Sequence, residues 1–485
     1  SGHILVYAFQ LLFDMYVERG YREREIPQLI LEKNLSGMEI DPRAAQIANL
    51  ALAMCAREHD RRFFGRGVQA DVLVVAPTKF QRDEAGCVIE LPKDAAIMAD
   101  QQFVDALEHL DEVGSLLNPT EAQLVALRAD VSRFASETEG SSLFGSDLGK
   151  KLQDALRVCE ALARKLDCVV ANPPYMGASS FSPFMSKWIK KNYPDVKSDL
   201  FSSFIVRIMD YANEHGEAGI MCPFVWMFIG SYEKLREKMI NEKTITSLIQ
   251  LEYSGFAGAT VPICTFTFHN SYVGEYKGGY VRLSDFVGAA VQAPKTREAI
   301  ANPDCGYFYR RNAKTFTQIP GTPIAYWIGA GAYGAFKNGI SLTDVAKTRK
   351  GMFTGNNDRF LRFWHEVSSG PIGADYKFYS KGGSFRRWYG NRDYVVRWSN
   401  NGEEIKAYPG SGNINEDDYF KPCLCWSLIT SGDISFRSLN SAEFVVGDAG
   451  PACYPLCGSS RYLLGLLNSS PIRFLSKAIN PTLNW

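Results

Sequence analysis

An apolar run over residues 166–170 that stops on Ala171-Asn172-Pro173-Pro174-Tyr175 constrains this chain more than any other stretch. Proline fixes its own backbone, offers no N–H, and pushes the residue before it out of the helical region. Two in succession therefore end a strand in a rigid, non-helical turn whose carbonyls face outward with few local partners. Such a turn suits holding an amino group in place better than carrying a nucleophile.

The 6-amino group of adenine is a poor nucleophile because its lone pair is delocalised into the ring. An acceptor on Asn172 and the carbonyl of Pro173 can each take one amino hydrogen, localising the lone pair and aiming it at an electrophilic methyl group. Pro174 keeps the turn rigid and Tyr175 stacks on the base. This is catalysis by positioning and preorganised electrostatics, without a covalent intermediate. A base in a duplex must first be flipped out, at roughly a few kcal/mol. The plainer alternative is an ordinary strand-ending turn, and the α/β context around the motif weighs against it.

That context comes from periodicity. Helical spacing over 4–19 follows a glycine turn, a strand is expected over 35–40, and Asp41-Pro42 reads as an N-cap with proline at the first helical position. A third strand is expected over 71–76. The pattern from 77 to 165 is helical and polar, too long for a loop, and predicts an insertion with helices of its own. A helix over 197–213, a strand over 218–228, a helix over 232–243 and a strand over 245–251 follow. Alternating strands and helices imply a mostly parallel α/β sheet with ligands at the carboxyl ends of its strands. Beyond about 280 the helical period fades into short alternating runs rich in Gly, Asn and aromatics, which predicts a β-rich domain. The expected division is a catalytic domain over 1–280, a connecting region over 281–340, and part of a target-recognition domain over 341–485.

At 485 residues and 46% hydrophobic the chain can bury sizeable cores, and its formal net charge of zero leaves any nucleic-acid binding to local patches. Eleven cysteines without framework spacing suggest a reducing cytoplasm. No apolar run approaches the ~18 residues of a membrane span. The start at Ser1-Gly2-His3, directly into a helix, and the abrupt end at Trp485 suggest a piece of a longer protein.

A glycine turn opening a helix, followed by an acid at a strand end, is a nucleotide-type signature. Glu39 is the acid, able to take both hydroxyls of a ribose, or else a solvated strand-end carboxylate. Asp41 reads first as a helix cap and second as a ligand.

Taken in order, Ser1-Gly2-His3, Gly37-Met38-Glu39-Ile40-Asp41 and Asn172-Pro173-Pro174-Tyr175 resemble motifs I, II and IV of S-adenosylmethionine-dependent adenine DNA methyltransferases of the gamma group. Further segments resemble the adenine-specific PglX family of BREX phage-defence systems. They are Gly114-Ser115-Leu116-Leu117, Lys197-Ser198-Asp199-Leu200-Phe201, Thr354-Gly355-Asn356-Asn357-Asp358-Arg359-Phe360, Lys381-Gly382-Gly383 with Arg387-Trp388-Tyr389-Gly390-Asn391, and Asn480-Pro481-Thr482-Leu483-Asn484. The resemblance implies a Rossmann-like methyltransferase fold, S-adenosyl-L-methionine as cofactor, double-stranded DNA as substrate, and other BREX proteins as partners. Ser1, Gly2 and His3 would end the methionine-binding loop, Glu39 would hold the ribose, and Asp111 would contact the cofactor's adenine, with Asp71 as a competing choice.

Residues 347–398 carry eleven Lys/Arg against four Asp/Glu, with aromatics interleaved. That pattern suits phosphate contact and stacking, or else a solvated basic face. The DNA-contact candidates are Lys350, Arg359, Lys381, Arg386, Arg387 and Arg392. Pro422-Cys423 resembles a cytosine-methyltransferase nucleophile but lies far from the cofactor strands. Cys423, Cys425, Cys453 and Cys457 depart from common zinc spacings, and no metal site is expected. Three other functions stay open: the methylase part of a fused restriction–modification enzyme, a catalytically incomplete DNA-binding module, and a protein glutamine methyltransferase.

Overall fold

The computed structural model describes residues 2–137, 143–253, 255–256, 261–412, 415–430, 432–439 and 444–480. Contacts divide the chain into two compact units, Ser1–Cys222 with Thr265–Tyr272, and Pro223–Cys264 with Val273–Trp485. The expected catalytic span 1–280 runs across that division. Ser1 and residues 481–484 lie outside the described residues.

In the first unit, Gly2 at φ +81° precedes α1 (His3–Glu18), which buries Phe9 and Phe13 against Ile26 and Ile30 of the short α2 (Ile26–Leu29) and the turn after it. The parallel pair β1 (Ser36–Glu39) and β2 (Asp71–Val74) flanks α3 (Pro42–His59) in sequence. Asp41 accepts from the Arg43 N–H at 2.8 Å and Pro42 takes the first helical position, as the Asp-Pro pair predicts. Leu52 and Ala56 complete that core.

The stretch expected to be helical from residue 77 is irregular as far as 95, with one isolated bridge between Arg82 and Val88. Its ties are tertiary: buried Glu108 accepts from the Phe80 N–H at 3.1 Å and pairs with Arg82. Helices follow as α4 (Gln101–Glu108), α5 (Leu110–Val113), α6 (Glu121–Glu137) and α7 (Leu143–Ala163). Leu152, Cys159 and Leu162 are buried along α7. Then come β3 (Leu166–Ala171), α8 (Pro183–Asn192), α9 (Leu200–Tyr211) and β4 (Ala212–Pro223), with β3 and β4 parallel. The strand expected over 218–228 thus begins at Ala212 and ends at Pro223. Its polar first half meets β3 only at its two ends, Leu166 opposite Ala212 and Cys168 opposite Glu217, with a register shift between them that bulges residues 213–216. Asn270 holds the bulge, its side chain donating to the Asn213 carbonyl at 3.0 Å and its N–H to the Gly216 carbonyl at 2.9 Å.

The chain next forms α10 (Glu233–Glu242), β5 (Thr244–Gln250) and β6 (Ile263–His269), of which residues 265–269 return to the first unit beside β4. In the second unit β5 pairs in parallel with β7 (Gly278–Arg282), and β7 pairs antiparallel with β8 (Phe308–Arg311). Arg236 on α10, fully buried, donates to the carbonyls of Trp226, Ile229, Gly321 and Thr322 and so ties three segments together. Burial lowers its pKa to about 10.

Two four-stranded sheets follow. One has the order β10 (Leu361–Phe363), β12 (Tyr394–Arg397), β11 (Tyr376–Ser380), β15 (Phe444–Val446). The other has β14 (Arg437–Leu439), β13 (Cys423–Cys425), β16 (Ala452–Pro455), β9 (Ala346–Arg349). Met352, Tyr379, Val396, Trp398 and Val445 form one core, and Leu424, Phe436, Cys453, Leu463 and Leu467 another. Helices are also present beyond residue 280: α11 (Ala289–Ala301), α12 (Ala330–Asn338), α13 (Leu342–Val345), α14 (Asn357–Phe360), α15 (Ser399–Lys406), α16 (Ser460–Leu467) and α17 (Ser470–Ile479). Their starts are locally encoded at Ser459 and Ser469, whose hydroxyls cap α16 and α17. Among the described residues no helix is long and apolar enough to cross a membrane.

Candidate active site and nucleic-acid interface

The Asn-Pro-Pro-Tyr turn leaves the carboxyl end of β3 with Pro173 buried and Asn172, Pro174 and Tyr175 exposed. The Tyr175 hydroxyl lies 3.1 Å from Asn172 Oδ1 and 3.4 Å from the Met221 carbonyl. Its single proton goes to the nearer acceptor, which orients the Asn172 amide; Oδ1 keeps a second lone pair. Behind the phenol, the Phe201 ring stands edge-on at 6.4 Å.

The chain after Tyr175 is held by the segment that opens α9. Asp199 caps α9 through the Phe201 N–H at 3.3 Å and also accepts from the Met176 N–H at 3.2 Å. The Leu200 N–H donates to the Met176 carbonyl at 2.9 Å, and the Ala178 N–H to the Ser198 carbonyl at 3.0 Å. Burial pushes the Asp199 carboxyl above its ordinary pKa, against the pull of three backbone N–H groups. One aspartate thus fixes both the helix start and the turn.

Farther along α9, Arg207 is buried. It donates to the carbonyls of Ser115 at 3.0 Å, Leu117 at 3.0 Å and Leu162 at 2.5 Å, and lies 3.7 Å over the Tyr211 ring. Tyr193 donates to the Leu116 carbonyl at 2.7 Å. The Gly-Ser-Leu-Leu motif at 114–117 is therefore a loop clamped from α9 and its neighbourhood. The Tyr211 hydroxyl reaches Met38 Sδ on β1 at 3.5 Å. Sequence reasoning gave no role to Asp199, Phe201 or Arg207. The available signal was an arginine inside the apolar face Phe204-Ile205-Val206-Arg207-Ile208-Met209.

Of the cofactor candidates, Glu39 ends β1 and Asp41 precedes α3. Glu39 turns Oε1 onto the N–H groups of Ile40 at 2.9 Å and Asp41 at 3.2 Å, which fixes its carboxylate. A Cβ on Gly114 would meet Ile40 Cγ2 at 3.3 Å, so α5, carrying exposed Asp111, ends beside Ile40. Gly2 has no room for a side chain, because a Cβ would come 2.9 Å from Ala48 of α3, and His3 begins α1. The Asp41 carboxylate is the α3 cap. Asp71 opens β2 instead of ending it, and pairs with Arg164 at 3.1 Å. A cavity of about 550 Å³ between β2 and α7, lined by Val72, Thr78, Lys79, Lys151 and Arg157, includes none of these candidates.

In the second unit, part of the basic stretch is neutralised by acids outside it. Asp418 pairs with Lys347 at 2.7 Å and Arg349 at 3.3 Å, and Glu404 with Arg359 at 2.8 Å and Arg397 at 3.2 Å. Lys381 lies 4.3 Å over the Tyr394 ring. Lys350 and Arg386 are exposed, while Arg387 and Arg392 are half-buried against aromatic rings. Cys423 is buried in β13 and burial pushes its thiol far up, which leaves it no nucleophile. Among the described residues no group of His, Cys, Asp and Glu is arranged to hold a metal.

Residues 33–256 match the family profile described as Eco57I restriction-modification methylase. Over its whole length the chain is 31% identical to the adenine-specific methyltransferases PglX of Lacticaseibacillus casei (strain Zhang) and BrxX of Escherichia coli O9:H4 (strain HS). It spans 42% of the length of each. This agrees with the resemblance carried by the motifs. Among solved structures, the Type IIL restriction-modification enzyme MmeI in complex with DNA superposes with a TM-score of 0.51 at 13% identity, covering 96% of this chain and 57% of that one. A nuclease-deletion mutant of the Type ISP restriction-modification enzyme LlaGI, bound to a DNA substrate mimic, gives 0.52 at 10% identity, covering 93% and 38%. At such identities the match shows the fold: an α/β methyltransferase fold followed by a β-rich region.

Proposed function

Because the chain resembles the PglX and BrxX adenine-specific methyltransferases along its whole length, we propose that the native protein methylates the 6-amino group of an adenine flipped out of duplex DNA. The methyl donor is S-adenosyl-L-methionine, and the biological role is host-DNA marking in BREX anti-phage defence, with other BREX components as partners. In this reading residues 1–280 form the catalytic domain with its insertion at about 77–165, residues 281–340 connect, and 341–485 are part of the target-recognition domain. The single observation that carries it is the Asn172 amide, oriented by Tyr175 at the end of β3. Its remaining lone pair and the Pro173 carbonyl take the two amino hydrogens, the Tyr175 ring supports the base, and Asp199 prevents the turn from relaxing.

The carboxyl end of β1 fits the cofactor. It offers a fixed carboxylate at Glu39 for two hydroxyls, an apolar face at Ile40, which is 53% exposed, and a second acid at Asp111. Gly2 and His3 open the adjoining helix, and Asp41 serves as its neighbour's cap. When bound, S-adenosyl-L-methionine supplies a methyl group on a positively charged sulfur. Lys350, Arg359, Lys381, Arg386, Arg387 and Arg392 are the proposed DNA contacts.

The test is Asn172→Ala in the native protein, with methyl transfer to DNA measured under single-turnover conditions. Loss of about 10²–10³ is expected for removal of one such acceptor. Near wild-type methylation would overturn the mechanism. The Eco57I profile also favours a second reading, the methylase part of a fused restriction–modification enzyme. Cleavage of unmethylated DNA by the native protein with Mg²⁺ separates the two.

A further inference from the structure

In the second unit the turn over residues 386–391 holds a bulky side chain against its own backbone preference. Trp388 sits at φ +73°, where an L residue of that size is a steric outlier. The conformation is pinned from several sides. The Trp388 N–H donates to the Phe436 carbonyl at 3.0 Å and its carbonyl accepts from the Ser438 N–H at 2.9 Å. Asn391, at φ +56°, donates to the Ser384 carbonyl at 2.9 Å. Beneath lies Arg437, 1% exposed, whose guanidinium reaches the Arg386 carbonyl at 3.4 Å and the Ser427 hydroxyl at 3.3 Å. The outcome is display: the Trp388 and Tyr389 side chains are 51% and 64% exposed. Strain that surrounding structure maintains points to use.

Those rings border a half-open cavity of about 430 Å³, also lined by Arg392, Ser438, Ser460 and Arg461. Arg392 is fixed there, 4.9 Å from the centroids of both Phe378 and Phe444, with Nη1 donating to the Tyr389 hydroxyl at 3.1 Å. Arg461 stands in the first turn of α16. The lining holds aromatic faces, Leu464, two guanidiniums and three hydroxyls, those of Tyr389, Ser438 and Ser460, and no carboxylate. A ligand complementary to it has a flat π body and anionic oxygens.

We propose that this cavity is a subsite for one nucleotide extruded from the DNA stack, with the base against Trp388 and Tyr389 and the phosphate held by Arg461 and Arg392. The proposal rests on the reading that the substrate is DNA. Stacking contributes affinity with little dependence on salt, whereas each phosphate contact adds to the salt dependence.

The test measures affinity of the native protein for a mixed-sequence DNA duplex several helical turns long, over a salt series, with Trp388→Gly, Trp388→Phe and Arg461→Ala. Glycine suits the backbone at 388, so that variant keeps the turn and removes only the ring. Expected are about a tenfold loss for Trp388→Gly, recovery with Trp388→Phe, and an unchanged salt slope for both. Arg461→Ala should lower the slope of log K against log salt by about one. Wild-type affinity and slope in Trp388→Gly and Arg461→Ala overturn the subsite while leaving the DNA reading intact. Absence of DNA binding by the native protein overturns both.

Discussion

Consecutive prolines stiffen the turn after β3 from within, whereas the turn at Trp388 is held from outside against its backbone preference. Each unit also holds a buried arginine. Arg207 closes three carbonyls around the Gly114 loop, and Arg437 sits beneath the Trp388 turn. The difference is instructive. A turn stiffened by its own residues can be recognised in a sequence and can expose its acceptors to a ligand. A turn held by distant groups is invisible there, yet it can store strain and present a ring.

The largest expected effect breaks the symmetry between the two arginines. Arg207→Met leaves three carbonyls without their donor and should cost about 3 kcal/mol or more in denaturant unfolding. Arg437→Met should cost about 1 kcal/mol, because its bonds are long and partly to hydroxyls that can rotate. Equal losses would show that both guanidiniums act only as buried volume.

Tyr175→Phe keeps the ring but frees the Asn172 amide. We expect methylation to slow about tenfold, in kcat more than in KM, as a misoriented acceptor costs about 1 kcal/mol. An unchanged kcat would mean that the prolines alone orient Asn172.

Trp388→Gly should have the opposite sign in stability, raising it by about 1 kcal/mol through relief of the left-handed backbone. A thermal melt that falls instead would show that the ring is a packing element.

The smallest effect is pH-dependent. Burial alone would raise the Asp418 carboxyl, but Lys347, Lys421 and Arg349 outweigh it and hold its pKa below the ordinary range. A depressed folded pKa contributes stability above the unfolded value of about 3.9, and that contribution is lost as pH falls through the folded value. Unfolding curves should therefore show wild type losing an advantage below about pH 4 that Asp418→Asn lacks throughout.

Much of the first unit was legible in local signals. The Asp41-Pro42 cap, the α1 spacing and the proline turn each operate within a few residues, and the structure has α1, β1, α3 and the end of β3 close to where those signals place them. The polar start of β4 was not legible, since what holds it, the irregular pairing with β3 and the bonds from Asn270, is tertiary. The caps Ser459 and Ser469 were readable and α16 and α17 were nevertheless missed, because the glycine-rich, aromatic character of the surrounding stretch masked two short amphipathic helices.

The basic stretch teaches the same lesson for function. Counting charges over 347–398 overstated its free cations, because Asp418 and Glu404 lie outside that window. By itself, then, the sequence determined the Asn-Pro-Pro-Tyr turn, the order of motifs and the alternating α/β pattern, all set by short-range sterics and periodicity. Only the tertiary structure decided which groups hold that turn, which arginines are paired, and that Trp388 is displayed under strain. Asp199 reaches Met176 across 23 residues and Arg207 reaches Ser115 across 92, and bonds of such span arise from packing.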